Sequence, residues 1–494
     1  MRSGNLRRQA LNCTGIPART PHAHRLAALP RTARLLPWII ATAQFMPMLD
    51  GTILNTALPA MALDLAEDPL RMQSVVIAYM LSVAVLMPAS GWISDRFGTR
   101  RVFLGSILLF TLGSLLCALS DSLLQLVAAR VLQGFGGALM MPVGRLVVLR
   151  AYPRTELVRV LSFVTMPALL GPLLGPPLGG WLVEYASWHW IFLLNLPVGL
   201  LGCLVAVRLM PDLRGVERTR FDTPGFLLFG AAMLLISIAL EGLGELHLPH
   251  ARVVLLLLAG LACLAAYWLR ATFAEEPLFS PGLFRTHSFA IGVLGNLFTR
   301  LGSGALPFLT PLLLQLGLGY SPSQAGMAMV PVALSSMAMK PLAPRLIERL
   351  GYRRVLVGNT LLIGALLASL ALVDGDTPYA LLLLHLGLIG TVNSLQFLAM
   401  NTVALIDLPT RDASSGNSLL SVVVQLSMSL GVGIGAALLS GFSADGAAHG
   451  ASLLAAFQVT YVCVGLLAMF GAALFFQLRP EDGRPGRRHD ELSD

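Results

Sequence analysis

The chain has 494 residues, 55% of them hydrophobic and 12% charged, with a formal net charge of +8 and a mean hydropathy of +0.74. Such values exclude a water-soluble domain and describe a chain that crosses a membrane many times. The positive excess serves as an orientation signal and does not point to nucleic acid.

The first 35 residues are Arg-rich and contain proline without an apolar core, as a cytoplasmic tail or an early-assigned start codon would. Apolar windows of ~20 residues, enough to cross ~30 Å of hydrocarbon, follow. They predict fourteen helices: α1 at 36–58, α2 at 72–93, α3 at 102–120, α4 at 123–149, α5 at 160–184, α6 at 189–210 and α7 at 224–241. The remaining seven are α8 at 251–270, α9 at 288–317, α10 at 322–342, α11 at 354–373, α12 at 378–405, α13 at 412–440 and α14 at 453–477. With the N-terminus cytoplasmic, the inside segments hold 28 of the 34 Lys and Arg residues, and the outside loops hold only Arg71 and Arg252. Arg130, Arg145, Arg300 and Lys340 lie within helices. The bias puts both termini inside and supports the helix count.

In α1 the run Leu49-Asp50-Gly51-Thr52-Ile53-Leu54-Asn55-Thr56-Ala57-Leu58-Pro59 buries the one carboxylate set deep in an apolar segment. An acid there costs several kcal/mol unless it is paired, protonated or facing water, so it marks a functional site. Asp50 lies ~12 Å below the outer end of α1 and Arg130 ~10 Å below the outer end of α4, at ~1.5 Å per residue. They are level. Burial favours the protonated carboxyl and a neighbouring guanidinium favours the carboxylate, so a small rearrangement switches the proton. A permanent ion pair that only fixes helix packing is the structural alternative.

After α2 comes Gly91-Trp-Ile-Ser-Asp95-Arg96-Phe-Gly98-Thr-Arg100-Arg101, and after α10 comes Glu348-Arg349-Leu-Gly351-Tyr-Arg353-Arg354. Acid, Arg, Gly, Arg and Arg match. Ala57-Leu-Pro59 near the end of α1 likewise matches Ala305-Leu-Pro307 in α9. Both loops fall inside, so the chain is a parallel duplication of six helices with a helix pair inserted. The expected divisions are a tail at 1–35, a six-helix bundle at 36–210, the inserted pair with its linkers at 211–287, a second bundle at 288–477 and a tail at 478–494. A substrate site belongs in the cleft between bundles. In the first loop Asp95 can bridge to Arg100 across neighbouring helix ends, a latch that holds when the cytoplasmic side closes.

Seven Gly and Pro residues in α5, Gly171, Pro172, Gly175, Pro176, Pro177, Gly179 and Gly180, remove bulk and soften the helix. Arg300, ~18 Å into α9 by the helical rise, has no acid at its depth in its own half. It either pairs across to Asp50 or gives the cleft a net positive charge suited to anions. Asn55, Gln133, Asn296, Gln396 and Gln425 are further candidates for the substrate path, although interhelical hydrogen bonds explain any one of them. Arg145 and Lys340, near cytoplasmic helix ends, read as snorkelling side chains.

The only lysine, Lys340, lies outside any Gly-x4-Gly-Lys-Ser/Thr pattern, so no ATP-binding loop of that type is present. Five separated cysteines, Cys13, Cys117, Cys203, Cys263 and Cys463, form no CxxC pair and give no disulfide or metal framework.

Four of these segments resemble the signature motifs of the major facilitator superfamily, in particular its fourteen-helix drug:proton antiporter branch. They are the Gly91–Arg101 loop; Asp50-x-Thr52-x-x-Asn55-x-Ala57-x-Pro59; Arg130-Val-Leu-Gln133-Gly134-Phe-Gly136; and Gly171-Pro-Leu-Leu-Gly175-Pro176-Pro-Leu-Gly179-Gly180. The resemblance covers about residues 36–478 and implies an all-α polytopic fold with α1 and α4 side by side at the cleft. It also implies a proton-driven exporter of drugs or toxic compounds, working by alternating access in the bacterial inner membrane. Asp50 would carry the proton and Arg130 modulate it, with no cofactor and no enzymatic activity, and with a monomer as the working unit. An exporter of an organic anion or a metal chelate on the same fold is the alternative, and a membrane sensor or enzyme a remote one.

Overall fold

The computed structural model describes residues 32–214, 221–244, 250–409, 412–448, 452–479 and 482, and all regular structure among them is helical. Among the described residues twelve helices are long and apolar enough to span a bilayer, thirteen if the bent pair Pro322–Met339 and Ala343–Leu350 counts as one span. Helix Thr32–Ile53, continued by a 3-10 turn at Leu54–Thr56 and a short helix Leu58–Asp64, stands where α1 is expected. The arrangement is thus consistent with fourteen spans, and the labels α1 to α14 are kept for them. Most of both expected tails lies outside the described residues.

The local chemistry explains where these helices begin and bend. Serines cap α4, α10 and α14: Ser122, Ser321 and Ser452 accept from the backbone N–H of Gln125, Gln324 and Ala455. At Ser321 the Gln324 side chain returns the bond, a reciprocal cap. All three caps lie at the end opposite the two repeated loops. They satisfy amides that the helix itself cannot, at the point where the chain leaves water. Helix α5, Arg154–Tyr185, runs through Pro167, Pro172, Pro176 and Pro177.

Gly98 and Gly351 have φ of 89° and 78°, and each ends one helix and starts the next. Positive φ suits glycine alone among common residues, which explains why both repeated loops keep it.

Packing repeats as well. Helix α1 lies on α5 and α6, as α9 lies on α13 and α14; α2 and α3 pack on α4, as α10 and α11 pack on α12. The two halves meet through α5 against α10 and, by the same exchange, α13 against α2. The inserted helix α7 pairs with α8 and lies along the α2/α13 seam. Asp222 ties that pair together: it caps α7 at Gly225 N–H and accepts from Arg270 of α8 at 3.0 Å.

Candidate functional site

Four helices converge on Asp50, which is 1% exposed. Its Oδ2 accepts from Arg130 Nη1 at 2.5 Å, and its Oδ1 accepts from Gln133 Nε2 at 2.9 Å and Asn195 Nδ2 at 3.1 Å. Arg130 also donates to Gln133 Oε1 and to the carbonyl of Val75, and its guanidinium lies 4.4 Å from the Tyr79 ring centroid. Ser114 of α3 closes the network, accepting from Gln133 and Asn195.

Glycine lets the helices approach closely enough to bury this set. A Cβ on Gly113 of α3 would sit 2.6 Å from Gln133 Cα, and one on Gly136 of α4 would sit 2.4 Å from the Phe110 nitrogen. Arg130 and Gln133 are three residues apart, on one face of α4, and that face turns to α1. With three donors on the carboxylate and a cation–π contact on the guanidinium, protein groups compensate both charges.

On its other side α1 faces a cavity of about 230 Å³ between the halves. The cavity is lined by Thr52, Asn55 and Thr56 of α1, by Pro172 and Pro176 of α5, and by residues of α9, α10 and α12. Helix α1 therefore separates the buried acid from the cavity, and its movement is what can connect them. The end opposite the repeated loops is shut. There Gly180 lies against the backbone of Pro322, a Cβ at that position falling 2.2 Å from the Pro322 oxygen. Reciprocally, Gly326 lies against the backbone of Pro176 at 2.3 Å by the same measure. Ser323 N–H donates to Glu184 at 3.0 Å, and Gln315 Nε2 donates to the Thr56 carbonyl across the same seam. The other face of α5 packs on the helix of the acid: Gly171, Gly175 and Gly179, at four-residue steps, meet Met48, Thr52 and Ile53.

The expected Asp95–Arg100 bridge is corrected by the structure. Asp95 pairs at 2.6 Å with Arg150 at the end of α4. The helix carrying Asp95 ends at Phe97 and the chain turns at Gly98, so Arg100 and Arg101 open α3 beyond the turn while the carboxylate looks toward α4. Thr99 is tied instead to the segment after α6, by bonds to Pro211 and Leu213. Both partners of the pair are 29% exposed, so Arg150→Gln is expected to cost less than about 1 kcal/mol of stability. A thermal melt of the purified variant checks this; a loss of several kcal/mol would mark a structural core pair instead. Gly91 and Arg96 flank the loop, with Arg96 stacked 5.4 Å from the Trp92 ring centroid. Glu348, Arg349 and Arg353 of the second loop are exposed and line a separate cavity of about 1,090 Å³.

The remaining sequence candidates separate. Asn55 reaches the cavity between the halves, with its Oδ1 buried and without a partner. Gln133 is fully buried in the Asp50 network, and Gln396 is held by Asn359 and Thr360, so neither lines that cavity. Arg300 meets neither Asp50 nor any other acid among the described residues. Its Nε donates to Asn296 Oδ1 at 3.1 Å, its guanidinium lies 4.8 Å from the Phe397 ring centroid, and its Nη2 is buried and unpartnered. Gln425 lies on α13, half-buried and away from the cavity. Asn195, Ser114 and Tyr79 escaped the sequence reading. Asn195 had a signal, as a lone amide between leucines in α6; Ser114 and Tyr79 had none, since such residues are common in membrane helices.

Known proteins share this organisation. The Major Facilitator Superfamily profile matches residues 40–432 and, in an overlapping second match, 292–493. The putative multidrug resistance protein MdtD of Serratia proteamaculans is 48% identical over 91% of this chain and 94% of its own length. The protein of the same name from Pectobacterium atrosepticum is 48% identical over 92% and 97%. Among solved structures, a POT family transporter in complex with 5-aminolevulinic acid superposes with a TM-score of 0.67 at 17% identity, covering 92% of this chain and 97% of that one. A D-xylose-proton symporter gives 0.64 at 15% identity, over 92% and 99%. At those identities the structures share the fold alone.

Proposed function

The chain belongs to the major facilitator superfamily and is a multi-pass secondary transporter of small molecules, not an enzyme; we propose that it exports drugs or toxic compounds in exchange for protons. The setting is the bacterial inner membrane, with both termini and the two repeated loops on the cytoplasmic side and the monomer as the working unit. One observation supports this above all others: a sealed carboxylate, Asp50, lies on the helix whose opposite face lines the cavity between the halves. A proton that releases Asp50 from Arg130 frees α1 to turn, and a turn of α1 changes the wall that a substrate touches. The proton gradient and the substrate thus act on one element, as exchange requires. Arg130 returns the carboxyl to its ionised form, and the α5 glycines give α1 a smooth surface to move against. Asp95 with Arg150, together with the Glu348 loop, would govern the cytoplasmic side.

The test is substrate-dependent proton release from everted vesicles, with lipophilic cations and organic anions screened side by side. The proposal expects proton movement with at least one compound, abolished when the gradient is collapsed beforehand. Substrate accumulation that is indifferent to the gradient would overturn it.

A further inference from the structure

Lys340, the only lysine in the chain, lies in the wall of the cavity between the halves. On α10 the lining residues are Met329, Val332, Ala333, Ser336, Met337 and Lys340, spaced three and four apart. That spacing puts them on one helical face, so Lys340 belongs to the stripe facing the cavity. The helix ends at Met339 and Lys340 opens the break, a 58° bend between Pro322–Met339 and Ala343–Leu350. From Pro322, Lys340 lies ~27 Å along the helix at ~1.5 Å per residue. It therefore stands at the cavity's end toward the repeated loops, where an exported solute would enter. Depth alone made it a snorkelling side chain; the helix face gives it a second role.

The chemistry of the lining is one-sided. No carboxylate lines the cavity, Lys340 is its one charged group, and no ion pair engages that ammonium among the described residues. The walls are otherwise Leu, Pro, Val, Ala and Met with the neutral polar groups of Thr52, Asn55, Thr56, Ser336 and Asn393, of which Asn55 Oδ1 is a buried, unpartnered acceptor. Such a site offers an anion one charge-assisted bond and offers its hydrocarbon part an apolar wall. A lipophilic cation would meet an ammonium without any compensating acid. The one deep acid, Asp50, is already held by three donors on the far side of α1. At about 230 Å³ the cavity is small beside common ligand pockets of ~300–1,000 Å³, which favours a compact ligand.

We propose that Lys340 is the substrate-binding residue of this cavity and that the site takes small amphipathic monoanions, an aromatic carboxylate being the type. This rests on the exporter reading for its transport consequence, but not for binding. A single lysine makes the test direct. Reductive methylation of Lys340 in the reconstituted full chain is followed by peptide mass spectrometry, with 2-naphthoate, the neutral 2-naphthamide or 2-naphthylmethylammonium present. Naphthoate is expected to slow methylation about tenfold at saturation, and the other two to leave it unchanged. Equal methylation with naphthoate, or protection by the ammonium compound, overturns the site.

In transport, Lys340→Gln should lower naphthoate-dependent proton release at least about tenfold, the loss of one charge-assisted bond. Lys340→Arg should keep most of it. Proton release with the ammonium compound and none with naphthoate would overturn the anion inference while leaving the exporter standing. Protection of Lys340 by naphthoate with no proton movement for any probe would leave the binding site standing and overturn the exporter.

Discussion

Asp50→Asn is expected to cut substrate-driven proton movement below about one-hundredth of the wild-type rate, since no other carboxylate lies deep in the apolar helices to replace it. The variant changes little in shape and much in chemistry. Gln133 and Asn195 both donate to Oδ1, and Arg130 donates to Oδ2. Whichever way an asparagine is set, its NH₂ must face one or more of these donors. Arg130, 1% exposed, then keeps its charge without a counter-ion, and breaking such a buried pair from one side costs about 3–5 kcal/mol. The Tyr79 ring at 4.4 Å offsets part of that. The protein should therefore insert and remain folded with a lowered melting temperature while coupling is lost. Vesicle assays of proton release, paired with a quantitative measure of folded protein, separate the two effects. Full coupling in a folded Asp50→Asn variant would remove Asp50 from the mechanism.

The second large effect lies at the outer seam. Gly180→Val is expected to abolish transport and hold the outer end open. A Cβ at Gly180 falls 2.2 Å from the Pro322 oxygen and 2.7 Å from its carbonyl carbon. These are backbone atoms, so no side chain can move aside, and the contact between α5 and α10 must separate. Overpacking of this kind costs typically ~1–3 kcal/mol or more. Against a conformational equilibrium of a few kcal/mol that is enough to reverse which state dominates. Spin labels at Tyr185 of α5 and Tyr379 of α12, both exposed at the outer end, should report a longer distance in the variant. Gly202→Val is the control: a Cβ there meets nothing within 4 Å, and neither distance nor transport should change. An unchanged distance in Gly180→Val would show that the seam tolerates bulk and does not set the state.

Much of this was legible in the sequence, for identifiable reasons. Each expected apolar window holds a helix because a bilayer leaves the backbone no alternative to satisfying its own hydrogen bonds. Asp50 and Arg130 could be paired by depth because both helices rise at a fixed rate from the same surface. The matching loops located the repeat, and Gly98 and Gly351 do share the positive φ that their sequence position demands.

Direction around a helix is less legible. Depth says nothing of which side of a helix a residue occupies, so it leaves Gln133 and Gln396 open between the substrate path and interhelical hydrogen bonds, and the structure shows the second. Lys340, exposed at its helix end as a snorkelling side chain would be, also stands on the cavity stripe, which depth alone does not report. The loop spacing pairs Asp95 with Arg100, whereas the helix end aims it at Arg150, 55 residues away. Asn195 and Ser114 complete the Asp50 network through contacts among four helices, which no pattern within one helix reports.

The most direct measurement is infrared difference spectroscopy of the reconstituted protein, titrated with acid in the presence and absence of an exported compound. The mechanism predicts a protonated-carboxyl C=O band that grows on acidification, shifts its midpoint when the compound is added, and is missing in Asp50→Asn. A carboxylate at Asp50 that stays ionised across the titration, with and without the compound, would contradict it and leave the Asp50–Arg130 pair a fixture of helix packing.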